Sequence, residues 1–159
     1  MTMEAGSEPR LRLVGVDHPD ARHLQEAQQA ELGKLFGFRG FALADPPQFR
    51  VPLGAFLVVY TDGEAIACGG ICPLEALPRT AEVKRMFTVP AWRRRGIGVR
   101  VLRALEAEAR ALGYRSTALE TGTVMHWAVA LYSSQGYRQI PLYPPYLPSH
   151  HSTCLAKAL

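Results

Sequence analysis

Arg93-Arg94-Arg95-Gly96-Ile97-Gly98 decides how the chain is read. Before it, Ala81 to Val89 alternates in polarity and predicts a strand. After it, Ile97, Val101, Leu105, Ala109 and Leu112 recur at near-helical spacing and predict a helix running to about Leu112. A strand, a tight turn of Arg and Gly, then a helix make a cradle for an anion. The turn's N–H groups and the helix N-terminus carry partial positive charge. The two glycines leave no side chain to hold a phosphate away from that backbone.

Working outward, the strand's period of two places Glu82, Lys84 and Met86 on one face and Val83, Arg85 and Phe87 on the other. The helix carries Arg100, Arg103, Glu106 and Arg110 opposite its apolar stripe, with Glu106 four residues before Arg110. Upstream, Leu11 to Val16 predicts a short strand and Ala21 to Leu35 a surface helix with a thin stripe of Leu24, Ala27, Leu32 and Leu35. Gly37 to Pro52 predicts an irregular connection with a short helical turn. Ala55 to Tyr60 and Glu64 to Cys72 predict two strands joined at Asp62-Gly63, and Gly69-Gly70 marks a bulge or close backbone approach. Downstream come a strand at Ser116–Thr121, a helix at Val124–Gln135, and strands at Tyr137–Tyr143 and Ser152–Leu159. The order βα, ββ, βα, βα, ββ is a mixed α/β single domain with a largely antiparallel sheet.

The chain's 159 residues can bury a real core, and a net charge of +4 is mild. The Arg run supplies much of that excess, which favours a local phosphate site over a nucleic-acid surface. Cys68, Cys72 and Cys154 are an odd set without a CxxC pair, which argues against a disulfide framework or zinc site. Residues 1–10 are polar and predicted disordered, and residues 11–159 form the domain. No signal or membrane segment is evident, and a cytoplasmic location is expected.

Arg93-x-x-Gly96-x-Gly98 after a strand, with Ala128-x-x-Leu131-Tyr132-x-x-x-Gly136-Tyr137 downstream, resembles the GNAT family of acetyl-CoA-dependent N-acetyltransferases. The resemblance covers roughly residues 11–159. It implies a sheet flanked by helices, with splayed central strands that open between Thr88 and Gly122. It implies a pantetheine arm paired with backbone at Met86, Phe87 and Thr88. It implies a pyrophosphate on the loop Arg93, Arg94, Arg95, Gly96, Ile97, Gly98 and Val99. Many relatives have Gly where this chain has Arg94, which removes backbone freedom and adds a charge toward the cofactor's 3′-phosphate. Relatives also often have Asn or Gln where this chain has Met125, so that contact to pantetheine is in doubt.

The resemblance implies that Tyr132 protonates the departing thiolate. It also implies that Glu82 is the general base, because an amine acceptor with a pKa of about 10 arrives protonated. Glu82 can equally be an ion-pair partner of Lys84 or Arg85, and Glu120 is the second candidate base. Tyr143-Pro144-Pro145-Tyr146 borders the expected acceptor site, with plain loop packing as the alternative. His126 is expected on the surface, and His150-His151 lacks a third ligand for a metal. The expected activity is transfer of acetyl from acetyl-CoA to a small-molecule or peptide primary amine by direct attack, with no metal, nucleic-acid or membrane partner. Homodimers are common in the family. The alternative is a non-catalytic acyl-CoA-binding or regulatory module on the same fold.

Overall fold

A computed structural model describes residues 6–37 and 46–159. The elements are β1 (Arg10–Leu13), α1 (Pro19–Phe36), β2 (Ala55–Thr61), β3 (Glu64–Pro73), β4 (Thr80–Thr88), α2 (Ile97–Ala111), β5 (Ser116–Gly122), α3 (His126–Ser134), β6 (Arg138–Ile140) and β7 (Ser152–Ala158). The strands form one seven-stranded sheet in the order β1-β2-β3-β4-β5-β7-β6. All neighbours are antiparallel except β4 and β5, which α2 connects as a parallel crossover. The mixed, mostly antiparallel α/β architecture is the one expected.

Helices cover both faces, which explains why β2 is apolar without alternation. Leu57 and Val59 of β2 join Val83, Val101, Leu102, Leu105 and Leu119 in the core under α2. Phe56 and Val58 face the other way, with Leu24, Phe49, Cys68 and Cys72 under α1. Each such side chain contributes about 1.5–3 kcal/mol on burial. Gly69 lets α2 approach: a Cβ there would stand 2.6 Å from Met86 Sδ and 3.0 Å from Val101 Cγ1. The close approach expected at Gly69-Gly70 is therefore present.

Several local expectations are corrected. The alternation of β4 breaks at Arg85, whose φ is +63°. Cys68 pairs with Phe87 and Gly70 with Lys84, so β4 holds one residue more than β3 over this stretch. The extra residue reverses the facing of the side chains after it in β4. Met86 packs under α2 with Val83, not beside Glu82 and Lys84, and Phe87 packs with the α1 core. Glu106 is not on the solvent side of α2 but 3% exposed, bonded by Lys157 Nζ at 3.0 Å and by the Tyr137 hydroxyl at 3.0 Å. The predicted strand at Tyr137–Tyr143 pairs only over Arg138–Ile140, before Pro141 removes a donor. Helix α3 starts at His126, two residues later than expected, which leaves Val124 outside it and exposed. The connection after Gly37 lies outside the described residues until a 3₁₀ turn at Pro46–Phe49.

Candidate active site

The parallel β4–β5 ladder holds only Thr80–Ser116, Ala81–Thr117 and Glu82–Ala118. Beyond it β4 stays on β3, and β5 stays on β7 through Gly122. The two central strands thus splay into a V that opens past Glu82. Helix α1 closes on the β4 arm from one face. Gln28 Nε2 donates to the Met86 carbonyl at 2.8 Å.

The loop at the mouth of the V is built from left-handed backbone. Arg94 has φ +62° and Gly96 φ +76°, with Gly96 as the N-cap of α2. Alternation of left- and right-handed residues turns successive N–H groups to one side. No side chain caps α2, so the first-turn N–H groups of Ile97, Gly98 and Val99 remain available to an anion. The Ile97 side chain is core, so this residue offers its backbone. The three arginines are not equivalent. Arg93 is turned away from the cradle: its Nε donates to the Thr88 carbonyl at 2.9 Å, and its Nη2 contacts Glu31 of α1 at 2.7 Å. The Arg93 side chain thereby clamps α1 to the end of β4. Arg95 stacks over Trp92 at 4.6 Å, and Arg94 is exposed.

At the closed end of the V, on the face away from α2, Glu82 is 6% exposed. The Tyr143 and Tyr146 hydroxyls donate to its Oε2 at 2.9 and 3.3 Å, and Lys84 Nζ lies 3.6 Å from Oε1. The Lys84 ion pair anticipated for Glu82 is therefore present, and the Tyr143–Tyr146 segment meets this carboxylate directly. Glu120 lies on the adjacent strand. Burial raises its pKa above the ordinary carboxylate value; the Glu82 charge adds to the rise and a hydrogen bond with Ser152 opposes it. Burial, then the Glu82 charge, likewise pushes both tyrosine hydroxyls up. Burial lowers Arg85, whose charge is felt by Tyr146 and Glu82.

Tyr132 approaches from α3 and is 8% exposed, edge-on to Tyr137 with centroids 5.8 Å apart. Its hydroxyl makes no hydrogen bond among the described residues, and burial alone raises its pKa. Tyr137, by contrast, bonds Thr117 at 2.7 Å and Glu106 at 3.0 Å. Met125 caps α3 without a side-chain bond to its backbone; its sulfur accepts from Thr121 Oγ1 at 3.6 Å. His126, His150 and His151 are exposed, and no group of metal-ligating side chains occurs among the described residues.

The profile of the Acetyltransferase (GNAT) family matches residues 18–137. The chain belongs to the GNAT family of acetyltransferases. An IAA acetyltransferase from Azospirillum brasilense is 36% identical over 128 residues, covering 80% of this chain and 83% of its own. A solved structure from Klebsiella pneumoniae, described as an acyl-CoA N-acyltransferase, superposes with a TM-score of 0.81 at 30% identity, covering 95% and 97% of the two chains. A GNAT acetyltransferase from Elizabethkingia anophelis, solved with acetyl-CoA bound, shares the fold at TM-score 0.69 and 15% identity, covering 96% and 99%.

The residues of this GNAT chain fit an acyl-CoA. The uncapped α2 turn suits a pyrophosphate, and a Cβ at Gly96 would meet nothing within 4 Å, so the loop's approach is open. None of the three thiols is poised as a nucleophile. Burial pushes Cys68 and Cys72 up to about 12 and raises Cys154 as well. The described helices include none long and apolar enough to cross a membrane. Spacing did not reveal Gln28 and Glu31 of α1 as neighbours of the cleft, because their partners lie 58 and 62 residues away.

Proposed function

We propose that this GNAT acetyltransferase moves an acetyl group from acetyl-CoA to a primary amine by direct attack in a ternary complex. The observation that carries the reading is the carboxylate pair Glu82 and Glu120 where β4 and β5 part, faced by Tyr143 and Tyr146. Two carboxylates there favour a cationic acceptor and can take its proton, without which a nitrogen has no lone pair for attack. Their environments set them apart. Glu82 is already bonded by two hydroxyls and neighboured by an ammonium. Glu120 carries no such ion pair among the described residues, and burial raises it above the ordinary carboxylate value, which suits a proton acceptor. We therefore assign proton abstraction to Glu120 and anchoring of the ammonium to Glu82, which reverses the order expected from the family resemblance.

Acetyl-CoA, when bound, supplies the activated acetyl group as a thioester. The chain's part is to hold it and manage protons. The backbone of Arg94 to Val99 binds the phosphates, and the β4 arm at Met86 to Thr88 aligns the pantetheine. Tyr132, whose hydroxyl has no partner among the described residues, donates a proton to the departing sulfur. Raised thiol pKa values support direct transfer over an acetylated cysteine. Orientation and electrostatics supply most of the acceleration.

The test is thiol release from acetyl-CoA with a panel of small amines, amino acids, peptides and IAA, the last because a relative bears its name. Amine-dependent release supports the reading. Tight coenzyme A binding without release for any amine would leave the non-catalytic module as the correct description.

A further inference from the structure

Helix α1 bridges the two arms of the V. At one end Gln28 Nε2 holds the Met86 carbonyl, at 2.8 Å, and Glu31 holds Arg93, at 2.7 Å, whose Nε in turn holds the Thr88 carbonyl. Eight residues on, about 12 Å of helix rise, Phe36 reaches β5. A Cβ on Gly122 would stand 3.4 Å from its ring. The inner turns of α1 therefore pass over the stretch where β4 and β5 no longer pair.

One atom in this arrangement has no partner among the described residues. Gln28 Oε1 is buried and accepts no hydrogen bond from them, while Nε2 of the same amide is fixed on Met86. Buried side-chain acceptors are nearly always satisfied, so an orphan beside a cleft is a site for a donor from outside the chain. Met86 lies past Glu82–Ala118, the last β4–β5 pair, so the amide is anchored on the arm of the V that β5 has left. A carbonyl oxygen selects a donor, and both ligands required by the proposed reaction carry N–H groups.

We propose that Gln28 is a ligand-binding residue whose Oε1 accepts a hydrogen bond from a ligand N–H in the V, either a pantetheine amide or the acceptor amine. This rests on the acetyl-CoA and amine reading above. The test compares wild type with Gln28→Met, which keeps length but loses the amide. The probes are coenzyme A and adenosine 3′,5′-bisphosphate, which lacks the pantetheine arm, both by calorimetry. The KM of an amine active in the thiol-release panel completes the set.

If a pantetheine amide is the donor, Gln28→Met weakens coenzyme A about ten-fold and leaves the bisphosphate unchanged. If the amine is the donor, coenzyme A affinity holds and the amine KM rises about ten-fold with kcat little changed. Changes below about two-fold in both, or parallel weakening of coenzyme A and bisphosphate, overturn the proposal. Gln28→Ala, which also removes Oε1, is run alongside in case Gln28→Met fails to fold. It shows the same selective loss, about ten-fold, and a change below about two-fold in both readouts overturns the proposal. A wild type that binds no coenzyme A overturns the acetyl-CoA reading and this one with it.

Discussion

Lys157→Met should unfold this protein well below the wild type, and the size is set by the burial of its partner. Lys157 Nζ lies 3.0 Å from both carboxylate oxygens of Glu106, whose side chain is 4% exposed. The Tyr137 hydroxyl donates to Oε2 at 3.0 Å and is shared with Thr117 at 2.7 Å. Removing the ammonium leaves a carboxylate in the core with one hydroxyl donor. Stranding a buried charge costs about 3–5 kcal/mol. Lys157 is 25% exposed, so water can reach part of the gap and the lower end applies. About 3 kcal/mol corresponds to a fall in Tm of about 6–12 °C for a domain of this size.

Urea denaturation with linear extrapolation measures it, provided the m values agree. Glu106→Leu with Lys157→Met is the decisive partner experiment. Removing both charges removes the stranded one, so the double variant should be more stable than Lys157→Met alone by about 1 kcal/mol or more. Additive losses in the cycle, or a Lys157→Met cost under about 0.5 kcal/mol, would refute the buried, coupled pair.

Three further outcomes are expected. Tyr132→Phe should lower kcat about 100-fold or more while leaving Tm unchanged, because the hydroxyl bonds nothing in the described protein; full turnover would remove Tyr132 from the mechanism. The acidic limb of kcat/KM should lie above the ordinary carboxylate value of 4.5, since the base must be ionised and burial raises Glu120. Activity is then lost as pH falls through that raised value. Glu120→Gln should abolish the limb, and its survival there but loss in Glu82→Gln would return the base role to Glu82. Arg94→Gly should relieve a left-handed penalty of about 1 kcal/mol, partly offset by the entropy of glycine. It should weaken coenzyme A binding in a salt-dependent way if the guanidinium meets a phosphate, which titrations at two ionic strengths would show.

The architecture was legible because its signals are local. The Asp62-Gly63 turn has φ of +47° and +79°, as its hairpin requires. Ile97, Val101, Leu105 and Ala109 are all buried on α2. The loop glycine at position 96 takes a left-handed form at the start of α2. What failed was non-local. The β4 bulge uses Arg85, a residue with no turn preference, so nothing in the alternation warned that Met86 and Phe87 would change faces. Glu106 looked like a partner for Arg110 one turn on, but its cation is Lys157, 51 residues away. The Arg93 side chain meets Glu31 of α1, 62 residues away, a contact its place in the motif did not announce. Pairings between distant elements are set by the packed sheet, and helix or strand periodicity carries no record of them.

The bulge at Arg85 ties these features to the cleft. By adding one residue to β4 it turns Met86 inward under α2, over the space left by Gly69, where a Cβ would stand 2.6 Å from its sulfur. The same step leaves Glu82 and Lys84 on the opposite face, in contact with each other at 3.6 Å. Meanwhile β3 satisfies one edge of β4, and β7 satisfies one edge of β5 along its whole length. Each central strand therefore turns an edge without a strand partner toward the V. In the middle of a sheet such edges are costly unless donors and acceptors arrive from elsewhere. Helix α1 brings one, Gln28 to the Met86 carbonyl. A packing accident would close by extending the three-pair ladder, since both strands run on beyond it. A ladder that stops at Glu82, beside the carboxylates and under a helix that supplies only part of the missing hydrogen bonding, leaves backbone groups that the amides of the proposed pantetheine ligand would satisfy.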